Sequence, residues 1–221
     1  MIRKVLTVVV LALLGYTAQG QTQTVPPVVI ASLPYTITVS GKYVLAGNLT
    51  GLLDIEADNV DVNLKTFSIT GNGNAAQVPP AGVGTGILVG PHSAVAVRNG
   101  SVTASPYNAI VVAKGASETV FANLTVTAPA TDSNSGCIAD LGDGTTIHNC
   151  HLQSSTGFAI LCFGTDEVVS GCDFSGSQYP IWYRSAPFDG DTFINNTGGG
   201  VPAPAPTPSP SPAPGDGGFG V

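Results

Sequence analysis

Charge is what this chain has least of. Asp, Glu, Lys and Arg together make 10% of its 221 residues, and only 7 of those side chains are basic. That is low for a globular protein. Two of the seven, Arg3 and Lys4, lie in a segment expected to be removed. The full chain has a net charge of −7, and without Arg3 and Lys4 the mature chain lacks the basic face that nucleic acid requires, so no nucleic-acid partner is expected. Histidine is scarce too: His92, His148 and His151 are the only ones. His148 and His151 flank a corner of the chain, and a metal pair there would need a third ligand. Apolar runs are short. Val5 to Leu14 is too brief to cross a bilayer, and no other run is long enough, so no transmembrane span is expected. No Ser-His-Asp arrangement can be defended from the sequence, and no Gly-rich phosphate loop sits in a βα context.

The two ends carry clear compositional signals. Arg3 and Lys4 precede Val5 to Leu14, and Ala18-Gln19-Gly20 follows with small residues where a signal peptidase reads. Residues 1–20 therefore read as a Sec-type signal peptide, the alternative being an uncleaved anchor. Export places the mature chain outside the cell, on its surface or in the periplasm, where disulfides are permitted. Residues 198–221 are rich in Pro and Gly, and VPAPAPTPSPSPAP is a polyproline II stretch. It reads as a spacer or cell-surface linker, or as a disordered remnant.

Between the ends the chain repeats itself. Ile138 to Leu152, IADLGDGTTIHNCHL, returns without a gap 22 residues later as Ile160 to Phe174, ILCFGTDEVVSGCDF. A fixed period of that length, with no helical spacing, indicates stacked coils of β-strand. Residues 21–52 form a lead-in and an N-terminal cap, in which Tyr35 to Ser40 alternates apolar and polar residues and Gly41 turns the chain. A cap is needed because a terminal coil otherwise offers an open edge. Leu53 to Ile69 is the first full coil: Leu53, Ile55, Val60, Val62 and Leu64 alternate with Asp54, Glu56, Asp61 and Asn63. Gly71 to Gly86 and Ala128 to Ser135 read as loops inserted at corners.

The first apolar residues of successive coils are Leu53, Ile87, Ile110, Ile138, Ile160 and Ile181, at intervals of 34, 23, 28, 22 and 21. The corner residues Asn99, Asn123, Asn149, Gly171 and Asn195 are spaced 24, 26, 22 and 24. Allowing for the insertions, both series give one coil per about 22 residues. The recurrence predicts one core holding Ile87, Val97, Ile110, Val120, Ile138, Ile147, Ile160, Val169, Ile181 and Phe193. The four corner asparagines, Asn99, Asn123, Asn149 and Asn195, form a ladder, because Asn tolerates left-handed geometry and bonds to the Asn of the next coil. Alternation points Asp140 inward, which marks it as the end of its strand.

The segments IEADNVDVNLKTFSITG and VAVRNGSVT resemble the right-handed parallel β-helix, or pectin-lyase-like, superfamily, and most of all its exported bacterial repeat proteins. The likeness covers residues 28–197, with Lys65-Thr66 standing where such coils often carry Asn-Gly. It implies an all-β fold: a single-stranded, right-handed parallel β-helix (solenoid) of about six coils over residues 53–197, with an N-terminal cap. The superfamily hosts lyases, hydrolases, epimerases and non-enzymes. Its lyases need carboxylates for calcium and a basic residue on the outer strand face; its hydrolases need paired carboxylates. Here the outward positions of the first strand are Asp54, Leu88, Val111, Ala139, Leu161 and Trp182, nearly all apolar. No Asp-Asp, Gly-His-Gly or Arg-X-Lys motif is present.

The expectation is a secreted or surface-displayed, non-catalytic module that contacts polysaccharide or a cell-envelope component. The alternatives are a polysaccharide lyase or glycoside hydrolase, and a structural or adhesin repeat fragment. Trp182, Leu161 and Val111 share a face that offers a sugar-stacking platform, unless a loop or the tail covers it. Asp143, Asp166 and Asp189 are each 23 apart, and stacked carboxylates would take up Ca2+; the competing reading is solvated turn acids. No other cofactor is expected. Cys150 and Cys172, 22 apart, are stacked neighbours and disulfide candidates, the alternative being a reduced thiol ladder. The sequence sets no oligomeric state.

Overall fold

The computed structural model describes residues 25–74, 83–104, 108–128, 136–154, 158–177, 179–183, 192–194 and 196–197. The expected signal peptide, the Pro-rich tail, Asp189 and Asn195 lie outside the described residues, as does the side chain of Phe193. Every regular element among the described residues is a β-strand.

Two sheets carry the chain, which passes from one to the other and back. The seven-stranded sheet runs Tyr35–Ile37, Leu53–Ile55, Ile87–Val89, Ile110–Val112, Gly136–Asp140, Phe158–Cys162, Tyr179–Tyr183, each parallel to the next. Leu53, Ile87, Ile110, Ile138, Ile160 and Ile181 pair directly along it, which is the register their spacing predicts. The second sheet has twelve strands, also parallel. Two of its strands, Val95–Thr103 and Val120–Ala128, run straight through the corner residues Asn99 and Asn123. Parallel strands with a shared interior bury a continuous stack of Ile, Val, Leu and Phe.

One core residue differs from the sequence expectation. Val120 is only half-buried, while Phe121 is wholly buried and pairs with Val97 on one side and Ile147 on the other. The corner sets the count: Val97, Phe121, Ile147 and Val169 each lie two residues before Asn99, Asn123, Asn149 and Gly171. A slip of one residue reverses the face, so Val120 points away. The segment 71–86 also departs from a plain loop. Gly73–Asn74 and Val83–Thr85 pair antiparallel, because the two ends of the insertion leave the stack side by side and their backbone groups satisfy each other.

The corners take left-handed backbone. Asn99, Asn123, Asn149 and Gly171 have φ of 61°, 54°, 52° and 62°. Asn123 Nδ2 donates to Asn99 Oδ1 at 3.2 Å, and Asn99 Nδ2 donates to Asn63 Oδ1 at 3.3 Å, so the ladder begins one coil earlier than predicted. Lys65 and Thr66, at φ of 52° and 71°, make the turn that Asn-Gly would make more easily.

Candidate functional site

The row Asp54, Leu88, Val111, Ala139, Leu161, Trp182 is in register on the outer side of the seven-stranded sheet. It is not an open platform. Leu88, Val111, Ala139 and Leu161 are buried and form a second apolar cluster with Leu52, Phe158, Phe163 and Trp182. The Trp182 ring lies 5.6 Å from both the Phe158 and Phe163 rings, centroid to centroid. Val111 and Leu161 therefore cannot meet a sugar face, and the half-buried Trp182 is already engaged by aromatic partners.

At the other end of that row Asp54 sits beside Glu56. Burial, the Glu56 charge and a hydrogen bond between the two raise the Asp54 pKa. His92 links Glu56 and Asp58, with Nε2 at 3.2 Å from Glu56 Oε2 and Nδ1 at 3.4 Å from Asp58 Oδ1. Asp58 behaves oppositely: chiefly the Ser93 N–H, at 2.7 Å, lowers its pKa. A raised carboxyl pKa gives stability that is complete below the unfolded value and is lost as pH rises through the folded one. At neutral pH the Asp54 charge thus opposes folding. Asp54→Asn is expected to raise the melting temperature at pH 7 and to leave it unchanged at about pH 3, where the wild-type carboxyl is protonated. Thermal melts of both proteins at the two pH values check this; equal shifts at both would refute it.

The expected tier of aspartates is offset. Asp143 Oδ1 accepts from the Thr165 N–H and hydroxyl, each at 3.1 Å, so Asp143 stacks on Thr165 and Asp166 comes one step later, across from Gly144. Their carboxylates do not form a column. Asp189 lies outside the described residues, and among those described no three His, Cys, Asp or Glu side chains converge as metal ligands.

Cys150 and Cys172 do stack, since the flanking pairs His148 with Ser170 and His151 with Asp173 are in register. They are buried free thiols, not a disulfide. Their sulfurs donate to main-chain carbonyls, Cys150 to His148 at 3.3 Å and Cys172 to Ser170 at 3.5 Å. Parallel neighbours hold their Cβ atoms farther apart than a bridge prefers, which accounts for the reduced geometry. The neighbouring Cys172 thiol, together with burial, raises the Cys150 pKa. Cys137 likewise donates to a main-chain carbonyl, that of Gln153 at 3.2 Å, and burial pushes its thiol up to about 12. Treatment with diamide is expected to join Cys150 to Cys172 only with backbone strain, so that the gain falls short of the ~3 kcal/mol that a loop of this size gives without strain. Peptide mass analysis reads the bridge, and Cys172→Ser should abolish it.

The open surface lies on the twelve-stranded sheet, past the corners. Successive strands place Ser68 and Thr70, Ser101 and Thr103, Thr125 and Thr127, His151 and Gln153, then Asp173 and Ser175 in two rows. The residues between them, Ile69, Val102, Val126, Leu152 and Phe174, are buried, so the rows face out. Neighbours within a row are about 4.8 Å apart. A shallow depression of about 410 Å³ runs beside them, lined by Thr66, Asn99, Gly100, Ser101, Asn123 and Thr125.

Sequence reading found no Ser-His-Asp arrangement, and the structure corrects that. His151 Nδ1 lies 2.7 Å from Asp173 Oδ2, and Ser175 Oγ lies 3.5 Å from His151 Nε2. The Thr197 hydroxyl donates to Asp173 Oδ1 at 3.1 Å and fixes the carboxylate from the far side. The clue was present in the aligned repeats, where His-x-Gln at 151–153 stands over Asp-x-Ser at 173–175. Comparison with protein-family models, curated proteins and solved structures finds no match.

Proposed function

We propose that this chain is an exported right-handed parallel β-helix of the pectin-lyase-like type, with about six coils and an N-terminal cap, that holds polysaccharide against its hydroxyl-lined face. The observation that supports this reading most is the pair of outward rows, Ser68, Ser101, Thr125 and Thr70, Thr103, Thr127, in register across successive strands. Strand pairing fixes the backbone beneath them, so little ordering is lost when a ligand lands. A polymer that repeats its own hydroxyls meets a surface that repeats donors and acceptors. The net charge of −7 favours a neutral glycan over an acidic one.

Cleavage of glycosidic bonds fits less well. Asp54 and Glu56 stand close enough that, beyond burial, the Glu56 charge raises the Asp54 pKa, whereas glycosidase carboxyl groups are set apart to flank the bond they cleave. A panel of neutral and acidic polysaccharides in affinity electrophoresis tests the proposal. Retardation by a neutral polymer, lost in Thr103→Glu/Thr125→Glu, supports it. No retardation across the panel leaves the structural-repeat reading, and newly formed chain ends would favour the lyase or hydrolase.

A further inference from the structure

We infer that Ser175, His151 and Asp173 form a nucleophilic triad that removes a small acyl group from an esterified hydroxyl; the choice of a polysaccharide ester as substrate rests on the glycan reading above. The three residues come from two adjacent strands, His151–Ser154 and Asp173–Ser175, paired in parallel. His151 faces Asp173 directly, and Ser175 lies diagonally, two residues on. This is the reach at which cross-strand side chains interact.

The roles follow from which nitrogen is engaged. Nδ1–H donates to Asp173 Oδ2 at 2.7 Å, which leaves Nε2 with its lone pair toward Ser175 Oγ. The 3.5 Å separation is the outer limit of a hydrogen bond, and such contacts are often loose until substrate arrives. Thr197 anchors Asp173, so the imidazole is held by a carboxylate that is itself held. Ser175 is the last residue of its strand, and Gly176 turns the chain away at a φ of 70°. That leaves the hydroxyl approachable from outside. Gln153 pairs with Ser175 across the ladder and is exposed, so its carboxamide is the nearby donor for an oxyanion.

The reaction closes without an added reagent other than water. Ser175 Oγ attacks the ester carbonyl carbon while His151 Nε2 takes the hydroxyl proton. The tetrahedral oxyanion collapses, the bond to the alkoxy oxygen breaks, and His151 returns the proton to that oxygen, releasing the alcohol. Water then attacks the acyl-serine with His151 as base. The bond to Ser175 Oγ breaks, the serine recovers its proton, and a carboxylic acid leaves. Acetyl is the smallest common acyl group and asks least of a binding pocket, so an acetate ester is the first substrate to test.

The full mature protein should release p-nitrophenol from p-nitrophenyl acetate, and a fluorophosphonate probe should attach to Ser175 in peptide mass analysis. Ser175→Ala should lower turnover by about 100-fold or more with an unchanged melting temperature, and Asp173→Asn and Gln153→Ala should lower kcat. No turnover by the wild type, label on another residue, or wild-type turnover in Ser175→Ala would each overturn the triad. Turnover lost in His151→Ala but kept in Ser175→Ala would show simple imidazole catalysis and overturn it as well. The ester needs no glycan to bind, so the two readings fail separately. Ester turnover in a protein that no polysaccharide retards would reject only the glycan.

Discussion

Gly164→Ala should destabilise the chain by about 2–5 kcal/mol, from overpacking together with a disturbed buried polar arrangement. Gly164 follows the strand Phe158–Cys162 and sits over Gly142, 22 residues earlier. A Cβ added at Gly164 would collide with the Gly142 carbonyl oxygen and come within 2.6 Å of Glu167 Oε1. Neither neighbour can yield. The Gly142 backbone is tied down, its N–H donating to Asp140 Oδ1 at 2.9 Å, and both Asp140 and Glu167 are wholly buried. Overpacking alone costs about 1–3 kcal/mol, and disturbing a buried polar arrangement adds a similar amount. Gly47→Ala is the control, since nothing lies within 4 Å of its Cβ position. Urea unfolding of both variants reads the difference as a shift in midpoint at constant slope. Similar midpoints for the two would show that the coils are not packed this closely.

Much of this arrangement could be read in advance because stacking converts sequence distance into spatial adjacency. The pairing of Ile110 with Ile138 and Ile160 follows from period alone, and Asp140 points inward as alternation requires, at the end of Gly136–Asp140. The ungapped repeat of 22 residues already sets Asp166 over Gly144 rather than over Asp143, and the structure keeps that register. Two features were not legible, because they depend on side-chain contacts finer than the average period. The contact of Ser175 with His151 is a diagonal between strands, so the aligned repeats show the two residues but not that they meet. The closed face around Leu161 depends on Phe158 and Phe163, which belong to the same coil but fold back over the row. Charge offered no help, because the few ionisable residues are spread over separate coils.

The clearest measure of that fine register is the pair Phe121→Ala and Val120→Ala. Phe121 is fully buried in the line Val62, Val97, Phe121, Ile147, Val169, each paired with the next across the parallel ladder. Truncating it removes a ring from a core that strand pairing holds rigid, so the cavity does not collapse, and the expected loss is about 3–5 kcal/mol. Val120 is one residue away, half-buried, and pairs with Thr146, so its truncation should cost about 1 kcal/mol or less. The alternation counted from the sequence alone predicts the reverse order, since it places Val120 inside. Chemical denaturation of the two variants therefore decides between the registers. A larger loss for Val120→Ala would mean that the stretch before the Asn123 corner faces the core with its other side, while Thr125 and Thr127, beyond that corner, keep their outward positions.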